Sequence, residues 1–479
     1  MRSQRNRVAE LALILMAATA TACTTAATEA NIRTAESAAN VRASATAKKI
    51  DAGAAAEAPA PAAPASDAIF EQPFDLGALE EAVIARQPGL VAAEHRIRAL
   101  VERARAEGKL PPAEVMADVW QVPFARPYAF DKAGMIMFSI RQQFPPAGAL
   151  DKAAEAMALE AQAEAEKAEA EARALVREAD RAFADYAEVT ARHAAHEAHR
   201  GLVVQMLEAA RVRVETGGAL GDFSRAELEL ARTDADIAKE RGMLDEARAK
   251  LNGLLLRPPG ERLGPPRHGE PETTSLGPKE AAAIAARESP EVRMAERMAE
   301  SARASAIAAN REASTPMFTA GISTFMPVND MPAGYGVSLG MSLPWLSGAA
   351  SSRARSAAHK ELAERATGDA ARARVRTDAV VALASLRAAE RRYQILRNTA
   401  APSADRAVEV ARAGYATGGT DLAMWLDAAR MALDIDVDVA VARGDLDRAL
   451  ADLDGAAGGR VPRIPLAASA ASKETGHDP

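Results

Sequence analysis

Cysteine occurs once in 479 residues, at Cys23, which excludes an internal disulfide framework and any zinc site built on thiolates. Aromatic side chains are scarce too, at 4%, although hydrophobic residues reach 48%. Alanine carries much of that apolar share, and it suits helices that approach closely along long contact lines better than thick cores. No excess of one charge exists. Lys and Arg number 59 against 66 Asp and Glu, a net of −7, so no global basic field recruits nucleic acid. Signatures of catalysis are missing as well: no Gly-rich loop precedes Lys-Ser or Lys-Thr, His-Glu-x-x-His does not occur, and the string Gly336 to Gly340 that spells Gly-x-Ser-x-Gly lies inside an alternating segment rather than at a strand-to-helix turn. The chain therefore reads as a non-enzyme without a cofactor or resident metal. With 26% charged residues, what remains is the profile of long helices rich in Ala, Glu, Arg and Leu.

The first residues form an export signal. Arg2, Arg5 and Arg7 precede an apolar run from Leu11 to Ala20, then Thr21 and Ala22. That run is too short to remain as a membrane-spanning helix. Cleavage of residues 1–22 leaves Cys23 N-terminal, a lipidation site of the bacterial lipoprotein kind; cleavage after Ala-x-Ala, leaving a free thiol, is the alternative. Residues 23–70 read as a tether ending in the Ala/Pro tract AAAEAPAPAAPAS, and residues 459–479 as a flexible tail.

Between those ends the chain says most of its piece twice. Gln87-Pro88 is answered by Ser289-Pro290, and Gly148 after two prolines by Gly348 after Pro344. Thr216-Gly217-Gly218 recurs as Thr417-Gly418-Gly419, and Leu251-Asn252-Gly253 as Leu453-Asp454-Gly455. Subtraction puts these pairs 202, 200, 201 and 202 positions apart, in order. The spacing is far longer than a solenoid repeat and marks a duplicated unit, residues 71–265 and 266–458. Each unit runs helix, two alternating segments, a very long helix, a Gly-Gly turn and a returning helix. Leu175, Ala179, Ala182, Tyr186 and Val189 step by four and three, as do Val375, Ala379, Ala382, Leu386 and Ala389. The long helices could each extend on the order of 100 Å, with Pro402 expected to kink or interrupt the second.

The alternating segments lie near residues 114–122, 134–144, 316–326 and 335–343. Ile136, Phe138 and Ile140 oppose Ser139 and Arg141, and Val337, Leu339 and Met341 oppose Ser338 and Ser342. Apolar-out, polar-in alternation over about ten residues fits a membrane-barrel strand, and also a half-buried soluble strand. Four strands cannot close alone, and an open edge is not tolerated in lipid. Three copies supply twelve strands with room for a lumen, lined by Ser139, Arg141, Ser338 and Ser342. The fold class expected is mainly α with a transmembrane β part: a trimer whose twelve-stranded outer-membrane barrel continues into a periplasmic α-helical barrel.

From about residue 75 to 458 the chain resembles the TolC family of outer-membrane efflux proteins. The carriers are Tyr415-Ala416-Thr417-Gly418 with Leu426-Asp427-Ala428-Ala429, Gly217 with Arg225-Ala226-Glu227-Leu228, the end Ala247 to Asn252, and the strand exits at Pro145 and Pro344. Val214 stands where the first turn motif has Tyr. The resemblance implies a homotrimer in the outer membrane. It implies hairpin tips at Gly217, Gly218, Gly418 and Gly419 that dock a periplasmic adaptor, and through it an inner-membrane pump of the RND or ABC type. The expected function is a passive trimeric duct exporting small toxic compounds or metal ions. A periplasmic coiled-coil adaptor or structural lipoprotein is the competing expectation.

Three sets of residues carry two readings each. His193, His196 and His199 suggest a metal site, or else a solvated helix surface or contacts near the equator of the tube, since the third has rotated about 120° from the first. Met116, Met135, Met137, Met317, Met326, Met331 and Met341 suggest soft-metal cargo, or thioethers filling irregular apolar surface. Asp222 and Asp421, just past the Gly-Gly turns, suggest a ring of acids at a trimeric aperture, or N-caps of the returning helices.

Overall fold

The computed structural model describes residues 25–39, 67–122, 124–128, 133–215, 220–327 and 333–467. Cys23, Gly217, Gly218 and Met331 lie outside the described residues. The first helix, α1, is Ala26–Ala38. Then follow α2 (Leu76–Arg86), α3 (Pro88–Glu107), β1 (Glu114–Trp120), β2 (Met135–Phe144), α4 (Ala149–Glu215) and α5 (Leu220–Leu254). The second half repeats the series after a two-residue strand β3 (Glu272–Thr273): α6 (Pro278–Glu288), α7 (Pro290–Ser314), β4 (Met317–Pro327) and β5 (Gly334–Ser342). It continues with α8 (Ala349–Ile395), α9 (Ala401–Thr417) and α10 (Leu422–Ala457), and closes on β6 (Ile464–Pro465).

Local chemistry explains the departures from the expected elements. The first helix of each repeat is not continuous. Gln87 and Ser289 are held extended, with ψ of 115° and 123°, because a following proline disfavours the helical region. Proline then starts α3 and α7, where its missing N–H is no loss. Pro402 does not break the long helix either. One wide π turn, Leu396–Ala400, absorbs the clash, and α9 starts with the proline in its first turn.

The segment read as tether begins with structure. Thr25 caps α1 by accepting from the Thr28 amide, and Asp151 at the start of α4 accepts from the Thr25 amide at 2.8 Å and the Thr28 hydroxyl at 2.9 Å. The tail is likewise tied down as far as it is described: the Val461 amide donates to Asp454 at 2.8 Å, and the Leu466 amide to the Pro271 carbonyl at 2.8 Å.

Two compact units result, one of residues 1–40, 92–168 and 293–371, the other of 41–91, 169–292 and 372–479. In the first, Ile32 and Ala35 of α1 pack on Val101 and Ala104 of α3 and Ala158 and Ala161 of α4. The same unit holds one antiparallel sheet in the order β1-β2-β4-β5. In the second unit, two cores repeat each other. Ala179, Phe183 and Tyr186 of α4 pack with Leu251 of α5, as Ala379, Leu383 and Leu386 of α8 pack with Leu450 and Leu453 of α10. The four-three stepping of the sequence is thus the buried seam of each long helix.

Candidate functional site

The sheet is turned inside out relative to a soluble one. Antiparallel register sets Val115 opposite Ile140, Ile140 opposite Ile322 and Ile322 opposite Val337, so these four share a face. Phe138, Phe318, Leu339 and Met341 fall on that face too, by alternation and by the pairs Phe318–Met341 and Ala320–Leu339. It is the exposed face: Leu339 is 84% accessible, Val115 73% and Val337 69%. The opposite face carries Glu114, Met116, Asp118, Met137, Ser139, Arg141, Gly321, Ser338 and Ser342, and there Ser139 is 4% accessible. Water rejects such an apolar surface, and a contiguous one marks contact with lipid or with another apolar body. Strands β1 and β5 end the sheet with unpaired backbone groups, so one copy leaves two open edges.

The structure therefore brings Ser139, Arg141, Ser338 and Ser342 to one face, yet their surroundings differ. Among the described residues the buried Ser139 hydroxyl has no hydrogen-bond partner, whereas Ser338 is exposed. An added Cβ at Gly321 would lie 2.7 Å from the Ser338 hydroxyl and 2.9 Å from Arg141 Cγ. The glycine is the space into which Arg141 leans.

At the second hairpin turn, Gly418 adopts φ +79°, a left-handed conformation that glycine reaches without a Cβ penalty. The Gly419 amide donates back to the Gly414 carbonyl at 2.8 Å, sealing the end of α9. Asp421 caps α10, its carboxylate accepting from the Met424 amide at 3.0 Å. Asp222 is not a cap: it is the third residue of α5, inside the first turn. Beside the turn is a groove of about 660 Å³ bordered by Val212, Arg213, Arg412, Tyr415 and Trp425. The Arg213 guanidinium stacks 4.6 Å from the Tyr415 ring centre, and Tyr415 packs 5.6 Å from Trp425. The Tyr415 hydroxyl and the Trp425 indole N–H are buried with no hydrogen-bond partner among the described residues.

The three histidines run from half-buried at His193 to buried at His199, and they do not converge. Each turns toward a different carboxylate: His193 to Glu197 at 3.8 Å, His196 to Glu240 at 4.0 Å, and His199 to Glu229 at 3.8 Å. Two of those acids belong to α5, so packing of α5 on α4 covers the stripe. Among the described residues no group of His, Cys, Asp or Glu could hold a metal ion. Burial holds the His199 pKa below its ordinary value, so it is a neutral hydrogen-bonding group near pH 7. Glu229 is held below the usual carboxylate range, chiefly by its hydrogen bond from Arg430.

A second buried group was not visible in the sequence. Asp180 of α4 is pushed up to about 8, first by burial and then by the neighbouring carboxylate of Glu80. Arg460 donates to Glu80 at 2.6 Å, and the charge of Asp454 adds to the upward push on Asp180. Scattered over four segments, these residues have no spacing that a motif could reveal.

Residues 282–459 match the family model described as outer membrane efflux protein. No curated protein sequence matches the chain significantly. Among solved structures, the outer-membrane channel OprN is 19% identical, with a TM-score of 0.67 over 85% of this chain and 98% of its own. CusC, whose structures concern folding and transmembrane channel formation, is 19% identical with a TM-score of 0.68 over 85% and 99%. The outer-membrane protein VceC of Vibrio cholerae is 17% identical, with a TM-score of 0.66 over 80% and 96%. At these identities the likeness establishes the fold, and the family model matches the second repeat alone.

Proposed function

We propose, from the match of residues 282–459 to the outer membrane efflux protein model, that the chain belongs to that family and is the outer-membrane channel component of a tripartite efflux pump. The observation that carries this reading is the sheet whose apolar face is the exposed one, with both edges open. An adaptor or a structural lipoprotein in the periplasm has no use for a surface that water rejects. A membrane channel needs it. Three copies close the edges into twelve strands, and the long hairpins of the copies cover one another's remaining faces around a periplasmic duct.

In this reading the duct is passive. It performs no reaction, and an inner-membrane pump of the RND or ABC type drives cargo through it by way of a periplasmic adaptor. Ser139, Arg141, Ser338 and Ser342 line the lumen. Gly217, Gly218, Gly418 and Gly419 shape the adaptor-docking tips, and Asp222 and Asp421 ring the aperture, a role compatible with the cap that Asp421 makes. Cys23 carries the lipid anchor.

The test is extraction and conductance. The mature chain should leave membranes only with detergent, migrate as a trimer after cross-linking, and open pores in planar bilayers. A Cys23→Ser form that is soluble and monomeric without detergent would overturn the channel.

A further inference from the structure

The face of the sheet opposite the apolar one is rich in thioether sulfur over β1 and β2. Met116 on β1 and Met135 and Met137 on β2 alternate onto it, while Met326 and Met341 belong to the exposed apolar face. Register builds a square from four of its residues. Met116 stands opposite Ser139, and the next same-face pair is Asp118 opposite Met137. Directly opposed Cβ atoms lie about 4.5–5.5 Å apart and diagonal ones about 7–8 Å, a span that two flexible thioethers on one diagonal bridge to a shared ion.

Two further observations point to a ligand. The Ser139 hydroxyl, on a residue only 4% accessible, has no hydrogen-bond partner among the described residues, and Ser139 is one corner of the square. The Asp118 carboxylate is held by no hydrogen bond or ion pair among the described residues. Arg141, on the same face, has its Cγ beside Gly321 of β4. Two soft donors, one anion and one neutral oxygen are a poor set for a hard divalent ion. They suit a soft monovalent one.

We propose that Met116 and Met137, with Asp118 as neutralising carboxylate and Ser139 as oxygen donor, form a transit site for a soft monovalent cation such as Cu(I) or Ag(I). The transit role rests on the duct reading above; the binding site does not. Neutral thioethers hold such an ion loosely enough to release it, as a conduit requires.

Silver ion is the probe. The purified full chain in detergent is treated with hydrogen peroxide, with and without Ag(I), and sulfoxide at each methionine is read by mass spectrometry. Oxidation at Met116 and Met137 should slow by roughly tenfold when silver occupies their sulfur lone pairs, while Met326 and Met341 keep their rates. Methionines that merely fill space give equal rates with and without silver, or equal protection on both faces, and either result overturns the site. Asp118→Asn should raise the silver concentration needed for protection by about tenfold, and an unchanged requirement overturns the carboxylate's assignment. Bilayer conductance of the same preparation separates the two readings. Pores without silver protection sink the site alone, and protection without pores sinks the duct alone.

Discussion

Glu229 and Arg430 are the two copies of one duplicated position, and they bind each other. Each lies eleven residues past its Gly-Gly turn (229 − 218 and 430 − 419). The Arg430 guanidinium donates to the Glu229 carboxylate through Nε at 2.9 Å and again through Nη2, joining α5 to α10. The duplication has diverged at this site into opposite charges, which turns a like-with-like contact into a lock between the returning helices. His199 stands 3.8 Å from the same carboxylate as a neutral neighbour.

Breaking that lock should cost more than removing it. Arg430→Met leaves Glu229 largely buried and unpaired, and should destabilise the chain by about 1–3 kcal/mol. Glu229→Gln with Arg430→Met should cost less than the sum of the two single changes. A double-mutant cycle on thermal unfolding, followed by tryptophan fluorescence, reads the coupling; strict additivity would show that the pair contributes nothing.

The two faces of the sheet should respond oppositely to charge. Leu339→Arg puts a cation on the apolar face at a cost of about 2–4 kcal/mol near the bilayer midplane, and three copies repeat it. Ser338→Arg, on the other face and exposed, should spare assembly and change single-channel conductance. Ser139 is not an equivalent control: its burial means that arginine there should damage assembly as well. Equal trimer yields for Leu339→Arg and Ser338→Arg would show the faces reversed.

Stability should fall as the pH rises from about 4 to about 8, and Asp180 is the cause. Its pKa is raised from 3.8 to about 8, so between those values the folded chain holds a proton that the unfolded chain has released. Folding is therefore disfavoured progressively from about pH 4 to pH 8. Asp180→Asn removes that penalty while keeping a polar partner for Glu80. Melting temperatures of the variant and the parent should converge at pH 4 and separate, with the variant higher, at pH 9. Parallel curves would remove Asp180 from the account.

The tip offers a separation of structure from transport. Asp421→Ala loses the bond to the Met424 amide and should lower stability by about 0.5–2 kcal/mol. If the acid also rings the aperture, the mutant pore should lose its sensitivity to blocking cations in single-channel recordings. Gly418→Val is strained by about 1–2 kcal/mol, because the turn needs φ +79°. It should leave trimer formation and barrel insertion intact and abolish efflux.

Periodicity made the repeats, the seam helices and all four long strands legible, because each is a repeating relation within one segment. What stayed hidden depends on single contacts. The spacing of Thr28, Ile32, Ala35 and Ala39 is the same four-three stepping as the long helices, and all four are buried. The alanine-rich context masked it, and only Asp151, far along the chain, shows why α1 forms. The π turn left a trace that arithmetic could have caught. The repeat offset is 200 at Tyr186 and Leu386 but 201 at Gly217 and Gly418, so one extra residue enters between them. Leu396–Ala400 is where a turn widened by one residue takes it up. Asp180 and Glu80 gave no such trace, since neither belongs to a pattern.

The junction of β2 with β4 has a meaning beyond its own chain. It joins the second strand of one repeat to the first strand of the next. When copies assemble, β5 of one must meet β1 of its neighbour, which is again a second strand meeting a first. The joint between molecules is then a copy of the joint within each molecule. Half the seams of the finished ring are already tied by peptide bonds before any two chains meet, at a loop-closure cost rather than an association cost. Recognition between strangers is needed only at every other seam, and the template for it is folded into each newcomer.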